Sequence, residues 1–170
     1  MLGINDQFPE FALTAVQPNG NAMETMTETD LYDSWTVVYF YPKDFTFICP
    51  TEIAEMDKLL SEAQVLGISG DNEFCKAAWK EVNGMIREIQ HPLLADCGLT
   101  LAGECGVIDF DEMAALRATF ILDEDNIVQS VSVNALHTGR NADEILRTVQ
   151  ALKAGGLTGC NWTPGEDFVA

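Results

Sequence analysis

Thr36-Val37-Val38-Tyr39-Phe40-Tyr41-Pro42-Lys43-Asp44-Phe45-Thr46-Phe47-Ile48-Cys49-Pro50-Thr51-Glu52 runs from an uncharged β-branched and aromatic stretch into an amphipathic one, with a single cysteine at the junction. The stretch Thr36 to Tyr41 reads as a buried parallel strand more readily than as a half-exposed one, and Pro42 ends it. From Pro50 to about Ala63, Ile53, Met56, Leu59 and Leu60 fall at near-helical spacing. Pro50 is tolerated in the first turn, where its missing N–H would have had no acceptor. Cys49 therefore stands at the mouth of a helix, where unpaired backbone N–H groups and the positive end of the macrodipole favour S⁻ over SH. A thiol of ordinary pKa, about 8.5, is only a few per cent ionised at neutral pH, so such a position predicts thiolate chemistry. The same position also suits a buried structural cysteine, because free cysteine is among the most buried residue types.

Outward from this stretch the chain alternates. A strand is predicted at Gln64 to Ser69 and a helix opening at Asn72, a good capping residue. A short strand around Leu93 to Ala95 and a brief helix near Leu99 follow. Arg117 to Leu122 and Ile127 to Val133, joined by Asp123-Glu124-Asp125-Asn126, give a hairpin signal. The last helix, about Ala142 to Ala154, places Ile145, Leu146, Val149 and Leu152 on one face and ends at Gly155-Gly156. Helices between strands, then a hairpin and a helix, predict an α/β fold with a central mixed sheet flanked by helices. Arg117, at the start of a central strand, is then within reach of Cys49. Trp79 falls with Phe74, Cys75, Ala78 and Val82 on what reads as an apolar helical face, which assigns it to packing near the site.

Composition narrows the function classes. With 170 residues, 47% of them hydrophobic, the chain can bury a full core and is not a disordered protein. A formal charge of −18, from 27 Asp and Glu against 9 Lys and Arg, speaks against binding nucleic acid or an anionic membrane. No segment approaches a membrane span, and Met1-Leu2-Gly3-Ile4-Asn5-Asp6 lacks the basic start and apolar core of a signal peptide. A cytoplasmic location is expected, and five cysteines there read as thiols. No Cys-x-x-Cys pair exists, which argues against a thioredoxin-type disulfide reductase and against a zinc knuckle. His91 and His137 are too few and too separated to suggest a metal site, and each reads as a surface or strand-end histidine.

The spacing Pro42-x-x-x-Thr46-x-x-Cys49 resembles the active-site loop of the peroxiredoxins, thiol-dependent peroxidases with a thioredoxin-like fold. Phe40-Tyr41-Pro42, Asp44-Phe45-Thr46-Phe47, Cys49-Pro50-Thr51-Glu52, Asp71 to Trp79, Arg117-Ala118-Thr119-Phe120 and Gly139-Arg140-Asn141 resemble the subgroup that includes the peroxidase component of bacterial alkyl hydroperoxide reductase. The resemblance implies a peroxidase domain over 1–154 and a carboxy-terminal tail over 155–170. It implies that Cys49 attacks the terminal peroxide oxygen and leaves as a sulfenic acid, and that Thr46 hydrogen-bonds sulfur and peroxide. It further implies that Arg117 holds the thiolate and the leaving oxygen with donors that cannot be titrated away, and that Pro42 shields the sulfur. Glu52 would brace Arg117 or Arg140, although a glutamate in a first helical turn is also favoured by the dipole alone. No metal or organic cofactor is implied.

A sulfenic acid must be reduced, and a second thiol that condenses with it protects Cys49 from over-oxidation. The resemblance points to Cys160, in the Gly-, Thr- and Asn-containing tail. Relatives usually keep this resolving cysteine four residues before a tryptophan, and that position, counted back from Trp162, is Thr158 here. Some relatives carry cysteines at both positions. The alternative for Cys160 is a bystander thiol, while Cys75, Cys97 and Cys105 read as core or incidental thiols.

Over-oxidation-sensitive relatives carry a Gly-Gly-Leu-Gly loop and a Tyr-Phe pair in an added helix. This chain has Glu81-Val82-Asn83-Gly84-Met85-Ile86 and ends at Ala170, so resistance to inactivation is expected. The resemblance implies hydrogen peroxide or an alkyl hydroperoxide as substrate and a dithiol protein or flavoprotein as reductant. It also implies a homodimer assembling into a ring of dimers. Two other functions stay open: a one-cysteine peroxidase with an external resolving thiol, and a redox-linked holdase chaperone or sensor.

Overall fold

The computed structural model describes residues 1–18 and 22–170. A seven-stranded sheet organises the chain in the order β2 (Met23–Thr27), β1 (Ala12–Val16), β5 (Leu93–Ala95), β4 (Gln64–Ser69), β3 (Thr36–Phe40), β8 (Arg117–Leu122) and β9 (Val128–Asn134). β3 runs parallel to β4 and β4 to β5, whereas β1, β2, β8 and β9 join antiparallel, so the sheet is mixed as expected. β6 (Ile108–Asp109) and β7 (Ala114–Ala115) form a separate small hairpin.

β3 is buried along its whole length and its side chains alternate between two cores. Val38 and Phe40 enter the core on one face with Phe8, Phe120 and Leu122. There, α3 (Thr100–Glu104) contributes Leu101 and Ala102. Val37, Tyr39 and Tyr41 enter the opposite core, beneath α1 (Cys49–Met56), α2 (Glu73–Val82) and α4 (Ala142–Ala154), and Cys49 belongs to that second core. The antiparallel register sets Tyr39 opposite Thr119, which brings the start of β8 alongside the end of β3.

Three expectations are corrected. The helix from Pro50 does not continue to Ala63: α1 ends at Met56 and a 3₁₀ turn spans Asp57–Ser61. A turn of three residues suits the buried Ile53, Met56 and Leu59, each three apart, and leaves Leu60 exposed. On α2 the inward face is not the apolar one. Phe74, Ala78 and Val82 are exposed, and the buried residues are Lys76, Trp79 and Lys80. Lys80 spends its charge on the carbonyls of Gln17 and Pro18, at 2.9 and 3.4 Å. His91 stands at a strand end, just before β5, but is fully buried rather than at the surface: it lies 2.7 Å from the Tyr39 hydroxyl and 2.6 Å from Asp57, partners far away in sequence.

The segment after α4 folds back on itself. Gly155 takes the left-handed conformation (φ 69°) that closes the helix, and Val169 donates its N–H to the Leu157 carbonyl at 2.9 Å. Trp162 is buried, stacks on Phe168 with centroids 6.0 Å apart and accepts from Arg147 of α4 at 3.2 Å through its carbonyl.

Candidate active site

β3 ends at Phe40, and the loop 41–48 carries the chain over the edge of the sheet into α1. Cys49 is the first residue of α1, followed by Pro50, and no side chain caps that end of the helix. The sulfur is buried yet lines an open pocket with Pro42, Thr46, Arg117, Leu136 and His137.

Arg117, first residue of β8, donates from Nη1 to the Cys49 sulfur at 3.3 Å and to Glu52 Oε2 at 2.6 Å. Its Nε donates to the Leu136 carbonyl at 2.6 Å, which orients the guanidinium plane. Glu52, one turn into α1, also pairs with Arg140 at 2.9 Å and accepts from the Arg140 backbone N–H at 3.0 Å. Arg140 in turn donates to Thr119 Oγ1 at 2.9 Å and to the carbonyls of Phe40 and Ala118, so it ties the ends of β3 and β8 to α1. Its guanidinium lies 5.2 Å from the centre of the Tyr39 ring.

All three charges are buried. Burial pulls the Arg140 guanidinium below its ordinary value, and Glu52 opposes that pull. Two arginines against one glutamate leave the cluster one positive charge in excess, which a Cys49 thiolate would neutralise. Fixed donors aimed at a sulfur in a water-poor site are preorganised for charge that moves during reaction.

Of the sequence-expected residues, Cys49, Glu52, Arg117 and Arg140 form one connected cluster, and Pro42 and Thr46 share the pocket. Glu52 braces both arginines rather than one. The Thr46 hydroxyl donates to the Lys43 carbonyl at 2.8 Å, which leaves its lone pairs as acceptors toward the pocket. Cys160 is exposed on the folded tail and does not line the pocket. Cys75 is partly buried, Cys97 exposed and Cys105 buried. Among the described residues no group of three or more His, Cys, Asp and Glu side chains is arranged as a metal site requires. The Leu136 carbonyl was not anticipated from the sequence, since a backbone acceptor leaves no mark in residue type.

The sequence model of the AhpC/TSA family matches residues 4–131. The alkyl hydroperoxide reductase C of Mycolicibacterium smegmatis is 42% identical, with 99% of this chain and 94% of that protein covered. A putative peroxiredoxin of Bacillus subtilis, YkuU, is 37% identical, with 96% of each chain covered. Among solved structures, reduced 2-Cys peroxiredoxin of Plasmodium vivax superposes with a TM-score of 0.90 at 33% identity, over 96% of this chain and 91% of that one. AhpC of Mycobacterium tuberculosis superposes with a TM-score of 0.86 at 39% identity, over 95% and 99%. A buried cysteine at a helix start, held by an arginine from the neighbouring strand, thus sits in a thioredoxin-like sheet shared with these proteins, and the chain belongs to the AhpC/TSA family of peroxiredoxins.

Proposed function

We infer that this protein is a thiol-dependent peroxidase that reduces hydrogen peroxide and organic hydroperoxides at Cys49. The observation that carries this reading is the 3.3 Å contact between the Cys49 sulfur and Arg117, itself fixed by Glu52. The thiolate attacks the terminal peroxide oxygen, the O–O bond breaks, and the other oxygen, which carries the hydrogen or alkyl group, leaves as water or an alcohol after taking up a proton. Cys49 is left as sulfenic acid. Thr46 accepts from the peroxide hydroxyl, and Arg117 meets the charge that grows on the leaving oxygen. Pro42 covers the sulfur from the solvent side.

Cys160 then supplies its thiol, forming a disulfide with Cys49 and releasing water, and an external dithiol or flavoprotein donor restores both. Cys49 is buried and Cys160 lies on the tail, so this step needs the start of α1 to open. A homodimer that closes into a ring of dimers is supported by two kinds of unpartnered surface. One is the open edge of β9; the other comprises the exposed Phe47 of the active-site loop and Phe74 and Val82 on one face of α2. The acidic composition and five free thiols support a reducing, cytoplasmic setting.

The deciding experiment adds one equivalent of hydrogen peroxide to fully reduced protein and maps the product by non-reducing mass spectrometry. A Cys49–Cys160 disulfide is expected, joining two chains. A Cys49 sulfenic acid with Cys160 free would move resolution to an external thiol, and an unmodified Cys49 would overturn the peroxidase reading.

A further inference from the structure

Beside the Cys49 site lies a second buried charged cluster, which makes no hydrogen bond to the Cys49 sulfur. Lys76 of α2 is fully buried, and its Nζ donates to the Tyr41 hydroxyl at 3.2 Å, to Ser69 Oγ and to Asp44 Oδ1 at 3.4 Å. Asp44 is buried in the middle of the active-site loop. Its Oδ1 also accepts from Ser69 Oγ at 3.0 Å, and its backbone N–H donates to Asp71 Oδ2 at 2.7 Å. Its second carboxylate oxygen is buried without a hydrogen-bond partner, so Lys76 is the cation that compensates this charge.

The next residue, Phe45, adopts a left-handed backbone (φ 56°). A bulky side chain holds that conformation only where its surroundings over-determine it. The Phe45 ring lies on Trp79, with centroids 6.0 Å apart. Lys76 and Trp79 are three residues apart, on the same face of α2. One helix face therefore grips two successive loop residues, the first through charge and the second through its ring. Between them and Cys49 stands Thr46, and Pro42 lies on the other side of the grip.

The chemistry of the pair makes it a latch. A buried ion pair adds little stability compared with well-packed apolar residues, whereas parting it strands an uncompensated charge. Lifting Asp44 away from α2 leaves Lys76 buried with neutral hydrogen-bond acceptors, Tyr41 and Ser69, and with Asp71 as a nearby carboxylate that it does not touch. The seated loop is thereby favoured over a lifted one.

We propose that Lys76 is a positioning residue for the peroxidase reaction: by holding Asp44 it seats residues 42–47 on α2 and so sets Pro42 and Thr46 over the Cys49 sulfur. This rests on Cys49 being the peroxidatic thiol. The test compares wild type, Lys76→Met and Lys76→Met/Asp44→Asn by two rates on the reduced protein: oxidation by hydrogen peroxide, and alkylation of Cys49 by iodoacetamide, followed by mass mapping. A small peroxide exploits the seated loop, whereas the bulkier iodoacetamide needs it lifted. In Lys76→Met the peroxide rate is expected to fall about tenfold or more, while Cys49 alkylation rises about threefold as the loop opens locally. The double variant, with neither charge buried, is expected to recover most of both rates. A general loss of stability would raise alkylation of the buried Cys105 as well, whereas opening of the loop alone leaves Cys105 protected. Unchanged rates in Lys76→Met, or a double variant no closer to wild type than the single, would overturn the proposal. Should Lys76→Met not accumulate as folded protein, Asp44→Asn is measured with amide hydrogen exchange over 42–49: faster exchange there than in β3 is expected, and wild-type exchange overturns the idea. Alkylation and exchange need no peroxide, so they report on the latch even if wild-type Cys49 resists oxidation, which would overturn only the peroxidase reading.

Discussion

The Cys49 sulfur and the Arg117 guanidinium, 68 positions apart in the chain, lie 3.3 Å from each other because β8 pairs antiparallel with β3 and starts where β3 ends. The contact depends on a guanidinium that also binds Glu52 at 2.6 Å and the Leu136 carbonyl at 2.6 Å. Replacing it by lysine keeps a charge but loses the fork. Arg117→Lys is expected to lower the second-order rate with hydrogen peroxide by about 10²- to 10³-fold, the usual effect of removing a preorganised donor. Stopped-flow tryptophan fluorescence measures this, and a rate within twofold of wild type would remove Arg117 from the reaction.

Glu52→Gln strips the carboxylate that the two buried arginines Arg117 and Arg140 share. Leaving such charges uncompensated is expected to destabilise the fold by about 3 kcal/mol. Urea unfolding checks this, and the peroxide rate should fall in the same variant because Arg117 loses its anchor. Stability equal to wild type would mean that the arginines hold each other apart without help.

Burial in the core pushes the Cys105 thiol up to about 12, with Asp96 and Glu104 adding to the rise. At pH 8 only about one molecule in ten thousand would carry that thiolate. In native protein, iodoacetamide is therefore expected to label Cys97 and Cys160, both exposed, and to spare Cys105. The folded value lies above the unfolded one, so the folded state holds the proton more tightly. The stability this thiol contributes is fully present below about pH 9 and is lost as pH rises through about 12. Urea midpoints measured between these limits should fall less steeply in Cys105→Ala than in wild type, once each is compared with its own value at pH 8.

Gly67 of β4 faces the Tyr39 ring so closely that an added Cβ would lie 2.5 Å from the hydroxyl oxygen and 2.8 Å from Leu93 Cδ2. Gly67→Ala is expected to cost about 2 kcal/mol, the range of overpacked cores. Because the ring carries the hydrogen bond to His91 and lies beneath Arg140, the variant should also slow peroxide reduction. Calorimetry and the peroxide rate test the two effects separately.

Where information was local, the residues alone sufficed. The uncharged run at 36–41, the period of Ile145 and Val149 and the closing Gly155 announced β3 and α4. Asn72 announced the start of α2, its side chain accepting from the Cys75 N–H at 2.9 Å. The spacing of Pro42, Thr46 and Cys49 marked the loop, and its chemistry came only from the family resemblance that this spacing carries. Folding decided what lies far apart in the chain: that Glu52 serves both Arg117 and Arg140, that the amino-terminal hairpin of β1 and β2 joins the sheet through β5, and that His91 is buried between Tyr39 and Asp57. The reversal of α2 shows why. Apolar periodicity marks a buried face only when burial is driven by apolar area, and Phe74, Ala78 and Val82 announced a face that lies in solvent. Lys76 is buried instead because Asp44, Ser69 and Tyr41 arrive from other elements to satisfy its charge, and no stretch of sequence around a lysine records which partners the fold will bring.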